Sequence, residues 1–125
     1  MKRYLIISIA LLLAFTACTK DTLTRGLYFA DTMDGMLYLE LQTNDKAVMF
    51  FQGGEKEECK YKISKGQIDL LGSARITING RTRSWWFGGA LGKGTIKDGS
   101  FTIKSQRLYS PELEYYYLYL TFYKH

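Results

Sequence analysis

From Arg25 onward, apolar side chains recur at every second position rather than every third or fourth. Leu37, Leu39 and Leu41 alternate with Met36, Tyr38, Glu40 and Gln42, and Ile76 and Ile78 alternate with Arg75, Thr77 and Asn79. Phe101 and Ile103 alternate with Ser100, Thr102 and Lys104. Tyr116, Leu118, Leu120 and Phe122 alternate with Tyr115, Tyr117, Tyr119 and Tyr123. A period of two sends successive side chains to opposite faces of a strand, so each run predicts a strand with one buried face. Turn signals separate the runs. Asp34-Gly35, Asn79-Gly80 and Asp98-Gly99 accept the positive φ that two-residue hairpins demand, and Asn44-Asp45, Gly53-Gly54 and Lys65-Gly66 are weaker turns.

Strands are thus predicted over 25–31, 35–43, 46–52, 56–64, 67–72, 74–79, 81–88, 91–97, 100–107 and 115–123. The link from Leu108 to Glu114 is read as a single helical turn begun by Ser110-Pro111. So many consecutive hairpins in one small domain leave costly open edges unless the sheet closes. The expected fold is all-β, an antiparallel up-and-down meander over 25–125, closing into a small barrel or half-barrel of roughly eight to ten strands.

Residues 1–17 break this pattern. Lys2 and Arg3 precede an apolar run from Tyr4 to Phe15, interrupted only by Ser8. The run is shorter than the about 20 residues of a spanning helix, and its flanks are those of an export signal. Phe15-Thr16-Ala17-Cys18 resembles a bacterial lipobox, with Phe15 where Leu is usual. That resemblance implies cleavage before Cys18, diacylglycerol on its sulfur and acylation of the new amino group. Each buried methylene contributes about 0.8 kcal/mol, so several chains hold a domain firmly on a membrane. Residues 18–24 then form the lipidated Cys and a polar tether. Thr19 after the Cys implies the outer membrane, on its periplasmic face or at the cell surface.

The 125-residue chain carries +5, which falls to +3 once Lys2 and Arg3 are removed. This is far from a nucleic-acid signature. With Cys18 lipidated, Cys59 has no disulfide partner, and its alternation with Tyr61 and Ile63 makes it a small core residue. The only His is the last residue, His125, so no zinc site or nucleophilic triad can be assembled. Glu55, Glu57 and Glu58 interleave with Lys56 and Lys60 as a solvated run does, and Glu112 and Glu114 could pair as glycosidase carboxylates do, but adjacency in sequence says nothing about a cleft. No metal, cofactor or enzymatic activity is expected.

Two constellations rise above this background. Arg81, Arg83 and Trp85 share one face of a strand with Phe87, and Arg75 is expected near Ser84 and Trp85 on the facing strand. Arg beside Trp can grip an anionic or sugar ligand; the alternative is a core Trp with solvated arginines. The second is the stripe Tyr115, Tyr117, Tyr119 and Tyr123, expected to face outward. Exposed Tyr is enriched at binding surfaces, and the alternative is packing across neighbouring strands.

The architecture from Cys18 to His125 resembles the small lipocalin-like, or calycin-type, lipoproteins of Gram-negative bacteria, as does the run Gly94-Thr95-Ile96-Lys97-Asp98-Gly99-Ser100-Phe101. Where true lipocalins carry Gly-x-Trp, this chain reads Gly26-Leu27-Tyr28. The resemblance implies a non-enzymatic binding protein anchored to the cell envelope. Its small ligand or protein partner is expected at the barrel mouth or on the outer aromatic face. The alternative is a protein-interaction module, such as an envelope inhibitor or an accessory subunit of an outer-membrane complex.

Overall fold

In the computed structural model, which describes residues 23–125, nine antiparallel strands follow one another along the chain. The export segment and Cys18 lie outside the described residues. The strands are β1 (Gly26–Thr32), β2 (Gly35–Leu41), β3 (Lys46–Phe51), β4 (Glu57–Ser64), β5 (Gln67–Ile78), β6 (Arg81–Phe87), β7 (Lys93–Lys97), β8 (Ser100–Ser110) and β9 (Glu114–Lys124). Each pairs with the next in sequence except β6 with β7, and β9 returns to β1. Of the barrel or half-barrel of eight to ten strands expected, the result is a closed eight-strand barrel with one slot shared by two strands.

That slot lies between β5 and β8. β6 occupies one half, pairing Gly72 with Phe87 and Trp86 with Gln106, and β7 occupies the other, pairing Ile68 with Gly94 and Gly94 with Ile103. Residues 88–92 bulge out between them through a short 3-10 turn at Gly89–Leu91. The Leu70 N–H donates to the Gly92 carbonyl across the interruption, at 2.8 Å. A Cβ on Gly92 would run into the Leu70 carbonyl, so only glycine closes this join.

The two strands expected at 67–72 and 74–79 are one continuous strand, because Gly72 and Ser73 keep the ladder to β6 unbroken. The link expected to be helical is a hairpin turn. β8 runs on to Ser110, and Pro111, Glu112 and Leu113 turn the chain, with Leu113 at φ 57. The first turn sits one residue earlier than the Asp34-Gly35 signal suggests. Thr32 pairs with Gly35, so Met33 and Asp34 form its tip. At Asn79-Gly80 and Asp98-Gly99 both residues have positive φ, the mirror-image turn that matches strand twist.

The alternate apolar positions meet inside. Tyr28, Leu37, Leu39, Phe51, Trp85, Phe87, Phe101 and Phe122 are buried there, with Phe101 stacked on Phe122 at 5.0 Å and 14°. Side chains therefore fill the barrel, as eight strands allow. Strand alternation also defines two ends. The chain enters β1 at one, with the turns after β2, β4 and β7. The far end carries the turns after β1, β3, β5 and β8.

Candidate functional site

The residues of β6 divide between the two faces of the wall. Trp85 points inward and is buried. Its indole Nε1–H donates to Asp34 Oδ2 at 2.7 Å. Asp34, at the tip of the β1–β2 turn, is thus folded over the far mouth. Arg107 of β8 grips the same carboxylate bidentately, Nε to Oδ2 and Nη2 to Oδ1, both at 2.7 Å. Arg83 Nε stands 3.7 Å from Oδ1, and its Nη1 donates to the carbonyls of Ile78 and Arg81 at 3.3 and 3.4 Å. Arg81, further out, donates to the Tyr109 hydroxyl at 2.8 Å and pairs with Glu112 at 3.5 Å. The Tyr109 ring lies 5.0 to 5.8 Å from the guanidinium carbons of Arg83, Arg107 and Arg81.

Burial alone would raise the Asp34 pKa. The hydrogen bonds from Arg107 and Trp85, with the charges of Arg107 and Arg83, outweigh it and hold the carboxyl below its ordinary value. The sequence marked Asp34 only as a turn residue and did not mark Arg107, because an ion pair across the barrel leaves no trace in local spacing. Trp85 is a core residue engaged with Asp34, so it offers no surface to a ligand.

Arg75 does not join this group. It pairs with Ser84, and Ser73 pairs with Trp86, which places all four on the outer face, opposite Trp85. Arg75 Nε donates to Glu57 Oε1 at 3.0 Å, and Ser73 Oγ donates to Glu57 Oε2 at 2.9 Å. With Trp86, Ser84, Gln106 and Leu108 they line an open groove of about 540 Å³.

The tyrosine stripe borders this groove. Tyr115, Tyr117 and Tyr119 pair across to Leu108, Gln106 and Lys104 of β8, so one outer surface runs from β9 across β8 and β6 to β5. Tyr119 is 72% exposed and Trp86 43%. The rings of Tyr115 and Tyr117 meet edge-on at 6.1 Å, and Lys104 Nζ lies 5.4 Å from the Tyr117 ring and 5.9 Å from that of Tyr119. The stripe faces outward as expected. Its fourth member is separate: Tyr123 pairs with Phe29, in a cross-strand row that continues to Tyr38 and Phe50.

Trp86 is the functional candidate the sequence reading missed. Its place opposite Trp85 in the alternation was legible, but its adjacency to the tyrosines depends on how β8 registers with β6 and β9. Tyr116 departs from expectation in the other direction. It shares the inward face with Leu118, Leu120 and Phe122, yet it is exposed, because the β8–β9 hairpin runs past the rim of the barrel. No family model matches the chain, no curated protein matches it, and no solved structure matches it.

Proposed function

We propose that this chain is a non-enzymatic binding lipoprotein of the bacterial cell envelope, of the lipocalin-like kind, anchored through Cys18. It holds its partner on the outer aromatic surface of β9, β8 and β6. One observation carries the choice of surface. Tyr115, Tyr117, Tyr119 and Trp86 form an exposed aromatic face beside an open groove, whereas the interior is filled with buried rings. Folded proteins hide large rings unless those rings are used, and Tyr and Trp dominate the energetics of contact surfaces. The far mouth is a poorer candidate, because Asp34, Arg107 and Trp85 spend their polar groups on one another.

Anchoring and binding fit one geometry. The tether joins the barrel at its entry end, and Tyr115 and Tyr117 lie toward the far end of β9. A lipid on Cys18 would therefore leave that part of the face projecting from the membrane. The test is a capture experiment from native membranes, with mass spectrometry of bound proteins and small molecules. Tyr117→Ser together with Tyr119→Ser should abolish capture and leave thermal stability unchanged. Unchanged capture would move the site elsewhere. Intact-mass analysis of the native protein should show residues 18–125 plus acyl mass, and an unacylated chain would remove the anchor from the proposal.

A further inference from the structure

The seam between β1 and β9 is the shortest ladder in the barrel. Its ladder pairs Tyr28 with Lys124 and Phe29 with Tyr123, extended by the His125 N–H bond to the Leu27 carbonyl, against nine pairs between β8 and β9. Continuing the same register brings Thr32, the last residue of β1, opposite Leu120. Beyond that point the segment Glu114–Tyr119 has β8 on one side and no strand on the other among the described residues. Asp34 ties the β1–β2 turn across the mouth to Trp85 and Arg107, and Tyr115, Tyr117 and Tyr119 stay exposed.

Backbone parity shows what this edge offers. The His125 N–H donates to the Leu27 carbonyl at 2.8 Å, so His125 directs its backbone groups toward β1. In an antiparallel strand the direction alternates with each residue. Tyr123, Thr121, Tyr119, Tyr117 and Tyr115 therefore aim their N–H and C=O groups at the β1 side, while Tyr116, Leu118 and Leu120 aim theirs at β8. The three tyrosines that present rings on the outer face also present backbone donors and acceptors at the edge that no strand among the described residues takes up.

Proteins normally protect such an edge with lysine, proline, a bulge or a covering segment. Between Glu114 and Lys124, which bound it, the strand holds no charged residue and no proline, and its ladder to β8 runs without a bulge. We infer that the Glu114–Tyr119 edge of β9 is a strand-addition site, which takes an extended segment of a partner protein as a further strand of the sheet. This rests on the aromatic-face reading for its location and adds the class of partner. Main-chain hydrogen bonds supply the attachment, and Tyr115, Tyr117 and Tyr119 flank alternate side chains of the incoming strand.

Charge narrows the partner. Lys104 lies beside Tyr117 and Tyr119 with no carboxylate partner among the described residues, and Arg81, Arg83 and Arg107 crowd the rim against Asp34 and Glu112. Glu114 at the start of the edge carries the opposite charge and accepts from the Tyr116 hydroxyl at 3.2 Å, so an uncharged segment, or one that sets a carboxylate beside Lys104, fits this edge. Symmetry disfavours a second copy. Two β9 edges related by a two-fold axis run antiparallel, which sends their entry ends, and hence their anchors, in opposite directions.

Amide hydrogen exchange on the full chain tests the edge without any substitution. The amides of Tyr115, Tyr117 and Tyr119 should exchange fast, and those of Tyr116, Leu118 and Leu120 slowly. The probe is a short peptide of alternating valine and threonine with a glutamate at each end, and it should slow the first set. Tyr117→Pro removes an edge donor without touching the ladder to β8, so it should weaken the peptide by about tenfold more than Tyr117→Ser, which keeps the donor. Equal effects of the two substitutions, or no slowing by the peptide, would overturn strand addition. So would slow exchange of Tyr117 and Tyr119 in the free chain, where the chain's own N-terminal segment is the occupant. A dimer that protects these amides and loosens on dilution would identify a second copy instead. Loss of native capture in Tyr119→Ser with peptide protection intact would separate the aromatic face from the edge.

Discussion

Asp34, at the tip of a two-residue turn, and Arg107, in the wall of β8, form a bidentate ion pair at 2.7 Å across 73 residues of sequence. The pair ties the first hairpin of the barrel to its last and is nearly shielded from water, with the Asp34 side chain 5% exposed. Removing one partner leaves a buried charge without compensation, which costs about 3–5 kcal/mol. Asp34→Ala should therefore lower the urea midpoint sharply, and it also deprives the Trp85 indole of its acceptor. An unfolding curve unchanged by Asp34→Ala would show that the pair does not hold the mouth.

The same carboxylate makes a prediction about acid. Its folded pKa lies below the ordinary value of 3.8, so the unfolded state takes up the proton first as pH falls. The contribution of Asp34 is fully present above about pH 4 and is lost as pH drops through the lower folded value. Stability measured across this range should fall less steeply in Asp34→Asn than in the unmodified protein. Parallel curves would locate the acid sensitivity in other carboxylates.

Cys59 should be chemically quiet. Burial between β3 and β5 pushes its thiol up to about 11, opposed by the Ser73 backbone, aided by the Glu57 charge and opposed again by the Met49 backbone. Thiol reagents near neutral pH should label it only as fast as the domain unfolds, and at once in denaturant. A raised folded pKa contributes stability below the ordinary value of 9.0 that is lost as pH rises through about 11. Rapid labelling of the folded protein would contradict the burial.

The turn between β5 and β6 should tolerate little change. Asn79 and Gly80 hold φ of 55 and 77, and a β-branched side chain resists this left-handed region. Gly80→Val should cost about 1–2 kcal/mol, read as a lowered Tm with an unchanged circular dichroism spectrum below the transition. No Cβ neighbour lies within 4 Å, so the whole loss would come from backbone strain rather than a clash.

What was legible in the sequence follows from local rules. Period two in Leu37–Leu41 and Leu118–Phe122 identifies strands. The Asn79-Gly80 and Asp98-Gly99 pairs specify tight turns. Many hairpins in a short chain imply closure, because open edges cost hydrogen bonds. The outward direction of Tyr115, Tyr117 and Tyr119 was likewise contained in the alternation. What only the tertiary structure decided concerns which strand lies beside which, and in what register. Trp86 joins the tyrosines only because β8 lies between β6 and β9. The union of Asp34 with Arg107, and the edge of β9 beyond Thr32 that is unpaired among the described residues, depend on where a closed barrel places the end of β1. A side chain's face is set by its parity along the strand, which one strand's sequence contains. Its neighbours are set by closure and shear, which belong to all the strands together.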